Sequence, residues 1–168
     1  MLFFRRAFSS KKTYDIVFPG NVSPQKLFPD LPTNISIPPY AKSGIPEAEN
    51  SKTPEVKNRI DIAKMRKSCN LAANILAKAG ELVKPGISTQ QIDDFVFEMA
   101  TQNGAYPSPL NYKGFPKSVC TSVNNVACHG IPDDRELLEG DIINIDITVY
   151  LVSISRIAGF LAKCHGLN

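Results

Sequence analysis

The sequence predicts an α/β fold made of two helices followed by antiparallel strands. Between about residues 54 and 103, two stretches place apolar side chains at steps of three and four residues, the period of an amphipathic helix. From residue 118 onwards the apolar and polar residues alternate, which is the period of a strand. Segments containing Gly, Pro and Asn separate these stretches, so each is expected to form one element.

The length and composition are those of one globular domain. The chain has 168 residues, of which 43% are hydrophobic, and a formal net charge of +3. Four basic residues precede the first acidic one, Asp15, which leaves 15 of the 19 basic residues against 16 acidic ones. This near-neutral remainder argues against a nucleic-acid surface. The sequence contains no stretch of roughly 18 apolar residues, the length that would be needed to span a bilayer. The four scattered cysteines form no CxxC zinc motif and are expected to be free thiols.

The first 14 residues, MLFFRRAFSSKKTY, have the composition of a mitochondrial or plastid transit peptide. They contain Arg, Lys, Ser and large apolar residues but no acid. The alternative is a disordered basic tail.

Residues 15–53 contain more than half of the chain's prolines. Proline lacks an amide donor and favours extended geometry in the residue before it, so this arm is predicted to contain no helix. Two hypotheses remain open: an extended arm packed on the domain through Phe18, Phe28 and Tyr40, or a solvated linker.

Residues 54–150 are predicted to form the ordered domain. Its first helix is expected to begin at Thr53 as N-cap with Pro54 at the first helical position, and to end before Lys84. Its predicted buried stripe is Ile62, Met65, Cys69, Ala72, Leu76 and Ala79. The second helix is expected to begin at Ser88, which forms a capping box with Gln91, and to stop at Asn103-Gly104. Its predicted stripe is Ile92, Phe95, Val96 and Met99.

Two strands are predicted after the helices. Residues 118–123 alternate as in a half-buried strand, and a turn from Asn124 then carries His129-Gly130-Ile131-Pro132. A second strand starts at Gly140-Asp141. Along it the isoleucines and valine of 143–149 point one way, while Asn144, Asp146, Thr148 and Tyr150 point the other.

Asp146 is an unusual residue for the middle of a strand, where aspartate is disfavoured. A buried carboxylate is costly unless it is paired, hydrogen-bonded or bound to a metal. The position therefore indicates either a functional site or a solvent-facing aspartate on an edge strand.

Two segments resemble the first half of a type I methionine aminopeptidase. They are NYKGFPKSVCTSVNNVACHGIP (111–132) and LLEGDIINIDITVY (137–150), and the proline-rich arm is similar to that of organellar members. The resemblance implies the pita-bread fold, of which this chain would form the first half. It also implies a metallohydrolase that removes initiator methionine from peptides, with a metal-activated water attacking the peptide bond, in a mitochondrion or plastid.

The resemblance also implies roles for five residues. His129 would contact the scissile region of the substrate, and Asp146 would be the first of five ligands to two divalent metal ions of the Co, Mn, Fe or Zn type. Tyr112, Phe115 and Cys120 would line the pocket for the methionine side chain. The alternatives are ordinary packing for these three residues and a backbone-bonded turn histidine for His129.

Residues 151–168 depart from the family and contain no Asp or Glu. A two-metal site needs several hard oxygen ligands, so this chain is expected to be catalytically incomplete and not to retain the metals. The tail is expected to form a replacement strand or a short helix. Two other hypotheses stay open: a non-catalytic peptide-binding fragment, or an incomplete gene model without function. The oligomeric state is left open.

Overall fold

The computed structural model describes residues 15–24, 31–46 and 56–151 in full, together with the backbone of residues 154–163. The helices are α1 (Tyr40–Ser43), α2 (Arg59–Glu81) and α3 (Thr89–Gln102), and the strands are β1 (Tyr106–Pro107), β2 (Cys120–Val123), β3 (Ile142–Leu151) and β4 (Ile154–Lys163). The prediction of two long helices followed by antiparallel strands is confirmed. None of the described helices is long and apolar enough to cross a bilayer. Residues 1–14, Phe28, Thr53 and Pro54 lie outside the described part of the chain.

β3 is the central strand of the sheet. β4 pairs antiparallel with β3 from Ile142↔Lys163 to Leu151↔Ile154, so of the strand and the short helix expected for the tail, the strand is present. Because β4 occupies one edge of β3 throughout, β2 and β1 share the other edge. Asp146 therefore lies on a strand that is paired on both sides, and the hypothesis of an edge strand is wrong.

The helices α2 and α3 pack on one face of this sheet. That face carries the odd-numbered residues of β3, and Ile143, Ile145, Ile147 and Val149 are fully buried there. The helices contribute Ala72, Ile75, Leu76, Ala79, Ile92, Val96 and Ala100 to the same core. Burying each large aliphatic side chain stabilises the fold by about 1.5–3 kcal/mol. The alternation predicted for β3 is confirmed, and its other face is left to polar residues.

The predicted start of the first long helix is wrong, whereas the predicted start of the second long helix is confirmed. α2 begins at Arg59, where the Asn58 side chain accepts from the Ile60 and Asp61 amides at 2.8 and 3.0 Å in a capping box. The buried face of α2 is correct only from Ala72 onwards, because Ile62 and Cys69 are exposed. α3 begins after Ser88, whose capping box with Gln91 is present as predicted.

β2 differs from its prediction in burial. All four of its residues are buried, so the strand is not half-exposed. Its Thr121 and Val123 face Ile145 and Ile143 on the helix side, while Cys120 and Ser122 face Asp146 and Asn144 on the other. The alternation predicted for β2 is correct, but its second face, which carries Cys120 and Ser122, is buried as well.

The arm packs on the domain through Tyr40, as predicted, but not through Phe18. Phe18 is 75% exposed. Tyr40 does pack on the domain, and the arm also buries Leu31, Ile35 and Ala41 against Tyr106 and Leu110. The prediction of no helix in the arm is wrong because α1 forms one turn after Pro39. Proline is compatible with the first turn of a helix, where its missing amide would have no partner.

Candidate functional site

The half-buried polar face of β3 surrounds Asp146. The Oδ2 of Asp146 accepts a hydrogen bond of 2.6 Å from the Nδ2 of Asn144. The two residues are two positions apart on one strand, so their side chains point to the same side of the sheet. The amide orients the carboxylate and compensates part of the cost of placing aspartate in a central strand.

Cys120 lies directly opposite Asp146 in the register of β2 and β3. Burial, with smaller contributions from the Asp146 carboxylate and from Cys128, raises the pKa of the Cys120 thiol to about 11. At neutral pH the thiol is therefore protonated. Such a group behaves as a small, polarisable apolar side chain rather than as a nucleophile.

His129 lies in the loop of residues 124–134, which follows β2 and is called the His129 loop below. His129 is exposed and has a left-handed backbone with φ 53°. The next residue, Gly130, is pinned to β2: its carbonyl accepts from the Thr121 amide at 2.9 Å, and its own amide donates to the Ser122 Oγ at 3.1 Å. A Cβ on Gly130 would lie 2.1 Å from the Thr121 carbonyl oxygen. Only glycine fits here, and it holds His129 beside the strand that carries Cys120.

Three tyrosines meet at the far end of the same face. Tyr150 belongs to the polar side of β3, and the ring of Tyr112 packs edge-on against Tyr40 with the centroids 5.1 Å apart. The Tyr40 hydroxyl donates to the Ser108 carbonyl at 2.7 Å. Burial, partly offset by this hydrogen bond and supported by the neighbouring Tyr112 and Tyr150, raises the pKa of Tyr40 to about 12. Tyr112 is 43% exposed, so one part of its ring remains open to solvent.

Phe115 lies directly after a 3-10 turn at Tyr112–Gly114. Its amide donates to the Tyr112 carbonyl at 3.0 Å, and its carbonyl accepts from the Asn111 amide at 2.8 Å. These bonds hold the two aromatic residues in one compact turn. The Phe115 side chain is half-buried.

The structure brings two of the five predicted site residues, Cys120 and Asp146, into facing positions. The other three lie on two further segments, the 112–115 turn and the His129 loop. Sequence reasoning missed Asn144 as the partner of Asp146, although its spacing of two residues on a strand was a usable signal. It also did not foresee that Tyr40 would contact Tyr112, since no local pattern links residues 72 positions apart.

The donor set around Asp146 fits one ligand position of a metal site but does not fit a complete one. Within the described part of the chain, no group of three or more His, Cys, Asp or Glu side chains could hold a metal ion. A two-metal hydrolase site needs several carboxylate or imidazole ligands. The described side chains thus provide the Asp146 carboxylate, the Asn144 amide that orients it and the Cys120 thiol that faces it.

Comparison with known proteins agrees with this arrangement. The profile of metallopeptidase family M24 matches residues 63–157. The chloroplastic methionine aminopeptidase 1B of Arabidopsis thaliana is 55% identical over 132 residues, which are 79% of this chain and 35% of that protein. The human mitochondrial methionine aminopeptidase 1D is 48% identical over 139 residues, or 82% of this chain and 40% of that protein.

Solved structures give the same result for the fold. The crystal structure of methionine aminopeptidase from Rickettsia prowazekii superposes with a TM-score of 0.65 at 43% identity, covering 67% of this chain and 45% of that one. Aminopeptidase P from Escherichia coli, at 16% identity and a TM-score of 0.56, shares the fold alone.

The predicted resemblance and the pita-bread fold class are confirmed by these relatives. The chain spans between 35 and 37% of the length of the first three curated relatives. The family match covers more than half of the chain, including most of α2 and all of α3, β2 and β3. The chain therefore belongs to metallopeptidase family M24.

Proposed function

We propose that this chain carries the substrate-side part of the active site of a metal-dependent aminopeptidase that acts on N-terminal methionine. The observation that carries the proposal is the position of Asp146. Its carboxylate is oriented by Asn144 on a central strand and faces a buried, protonated thiol. The names and identities of the relatives support the same activity.

In this proposal Asp146 is one metal ligand, and the remaining ligands are not among the described residues. The metals of this family are divalent cations, and the described donors do not complete their site. We therefore propose that the 168-residue chain by itself binds substrate without hydrolysing it. Residues 151–168 contain no Asp or Glu, so they supply no further carboxylate ligand.

The substrate pocket is proposed to form around the methionine side chain. Cys120 offers a polarisable apolar surface, and Tyr112 and Phe115 offer aromatic rings, which interact favourably with a thioether sulfur. His129 would lie near the scissile amide, where an imidazole N–H can donate a hydrogen bond to a carbonyl oxygen that gains negative charge. Its exposure and its pinned neighbour Gly130 support this role.

The first test is peptide binding by the purified 168-residue chain. Titration calorimetry should detect Met-Ala-Ser and give at least tenfold weaker binding of Lys-Ala-Ser, because a charged side chain would lose hydration in an apolar pocket. Tyr112→Ala should reduce this preference, whereas Lys78→Ala, a change at an exposed position on α2, should keep it. Equal affinity for the two peptides would contradict the proposed pocket.

The second test is turnover. With added Mn²⁺ or Co²⁺ we expect no release of methionine from Met-Ala-Ser, since one carboxylate cannot hold two cations. Measurable release that disappears in Asp146→Asn would show that this chain completes the site, and would overturn the proposed lack of activity.

We further propose that the protein acts in a mitochondrion or plastid. The composition of residues 1–14 and the organellar names of several relatives support this localisation. A fluorescent protein fused behind residues 1–24 should be imported into one of these organelles. Diffuse cytosolic fluorescence would contradict the proposal.

A further inference from the structure

The segment of residues 15–24 runs along the His129 loop and bonds to both of its ends. At the first end, the Asn125 side chain clamps Val17: its Oδ1 accepts from the Val17 amide at 2.7 Å, and its Nδ2 donates to the Val17 carbonyl at 3.2 Å. The Nδ2 of Asn124 also donates to the Asp15 carbonyl at 3.1 Å. These bonds join parts of the chain that are more than 100 residues apart.

The second end of the loop is held by two carboxylates. The Oδ2 of Asp133 accepts from the Gly20 amide at 2.7 Å. Asp134 accepts from the backbone and side-chain nitrogens of Asn21, both at 2.8 Å, and its own amide donates to the Asn21 carbonyl at 3.2 Å. A Cβ on Gly20 would lie 2.7 Å from the Asp134 carboxylate and 2.9 Å from that of Asp133. A side chain at position 20 would therefore displace these two carboxylates.

The segment is itself anchored to the core of the domain. The Nζ of Lys117, a residue that is 2% exposed, donates to the carbonyl and the Oγ of Ser23 at 3.1 and 2.6 Å. Lys117 lies three residues before Cys120, the first residue of β2. Residues 15–24 therefore contact both Lys117, just before β2, and the two ends of the His129 loop.

We propose that residues 17–23, called the brace below, position the His129 loop against β2. Residues 126–131 lie between the two bonded ends of the loop, and Gly130 supplies a third anchor on β2. A loop held at three points has few backbone conformations available, so the chain's own bonds keep His129 in its left-handed geometry. Val17, Gly20 and Asn21 are then positioning residues that never touch the substrate. This inference rests on the proposed role of His129.

The test uses NMR on the full 168-residue chain. The chain has two histidines, so a His165→Gln variant identifies the imidazole signals of His129. Asn125→Ala removes the first clamp from the loop side, and Asn21→Ala weakens the second from the arm side without changing the loop. Asn34→Ala is the matched control, since Asn34 is an exposed residue in a turn of the same arm.

Asn125→Ala and Asn21→Ala, the two variants that weaken the contacts of the brace, are called the brace variants below. In both we expect the His129 imidazole signals to shift and broaden. The Val126 and Gly130 amides should exchange with solvent at least tenfold faster, while the Ile145 and Ile147 amides of β3 keep their protection. Asn125→Asp retains the acceptor for the Val17 amide and loses only the donor, so it should give an intermediate effect. Asn34→Ala should leave all these signals unchanged.

Unchanged exchange and unchanged His129 signals in both brace variants would overturn the inference. Loss of protection in β3 as well would assign the contacts to general stability and would also overturn it. The methionine preference of the unaltered chain is measured separately. If that preference is absent while the brace variants loosen the loop, the proposed function fails but the brace stands.

Discussion

Cys120 and Asp146 face each other across two paired strands, so each determines the electrostatic surroundings of the other. The carboxylate disfavours a second negative charge nearby, and burial disfavours any thiolate. Both effects raise the pKa of Cys120 to about 11. A protonated thiol beside a carboxylate held by Asn144 is suited to contact an uncharged side chain, which agrees with the proposed methionine pocket.

The reactivity of Cys120 provides a test at this scale. At pH 8 a thiol with this pKa has a thiolate fraction on the order of a hundredfold below that of an ordinary cysteine. Iodoacetamide should therefore label the exposed Cys69 and Cys128 first and Cys120 last, as followed by peptide mass spectrometry. Asp146→Asn removes one cause of the raised pKa and should speed the labelling of Cys120 several-fold.

The control is Glu136→Gln, which removes an exposed carboxylate from the connection before β3. It should leave the labelling rate of Cys120 unchanged. If Asp146→Asn has no larger effect than this control, the carboxylate does not act on the thiol.

At the scale of elements, β2 and the His129 loop fold as one unit through Gly130. The two backbone segments approach so closely that a side chain cannot be inserted between them. Asp141, just before β3, joins the start of this loop to the segment that follows it. Its carboxylate accepts hydrogen bonds from the Leu138 backbone amide and from the Asn124 side-chain amide, and it pairs with Arg135 at 2.9 Å. Burial opposes ionisation of Asp141, but these partners outweigh it and lower its pKa. The loop is thereby closed before β3 begins.

Gly130→Ala should destabilise the chain by roughly 3 kcal/mol or more, because the new Cβ would overlap the Thr121 carbonyl and the backbone must move. Gly104→Ala is the matched control. Gly104 has φ +73° but open space around its Cβ position, so this change should cost only about 1–2 kcal/mol of backbone strain. Urea unfolding of both variants measures the difference, and equal losses would mean that the close contact with β2 is not significant.

At the scale of the whole molecule, two buried clusters stabilise the part of the chain that the structure describes. One lies between the helices and the sheet, and the other fixes the arm through Leu31, Ile35 and Ala41 against Tyr106. The second cluster contains buried phenols, and burial raises the pKa values of both Tyr40 and Tyr106. The folded chain therefore resists ionisation of these groups more strongly than the unfolded chain does.

This difference predicts a loss of stability at alkaline pH. A group whose pKa is raised on folding contributes its full stabilisation below its unfolded pKa, near 10 for tyrosine, and loses it as the pH rises through the folded value. The free energy of unfolding should therefore fall between about pH 10 and pH 12, the folded pKa of Tyr40.

Tyr40→Phe separates the two contributions of the Tyr40 hydroxyl. At pH 7 it should destabilise the chain by about 1 kcal/mol, because the hydrogen bond to the Ser108 carbonyl is lost. Above pH 11 the gap between the variant and the unaltered chain should narrow, since phenylalanine cannot ionise. Urea unfolding at both pH values measures this gap, and a constant gap would contradict the prediction.

The sequence by itself determined the elements whose cause is local. The capping box of Ser88 and Gln91, the stop at Asn103-Gly104 and the alternation of β3 all depend on neighbours within four residues, so all three were predicted correctly. The side of the sheet on which Asp146 lies follows from the same alternation. The first helix was placed too early, at Thr53, because the capping box that begins it, formed by Asn58 and Asp61, was not recognised in the sequence.

Only the tertiary structure decided which segments cover the polar side of the sheet. The burial of β2 on both faces was one such outcome of packing. The contact of Tyr40 with Tyr112 and the bonds from Val17, Gly20 and Asn21 to the His129 loop join residues more than 65 positions apart. Such contacts leave no periodicity in the sequence, because they depend on the shape of two surfaces and not on the spacing along one. For this reason the sequence, through its resemblance to a family, could name candidate residues for the site, whereas only the folded chain determined how those residues are held.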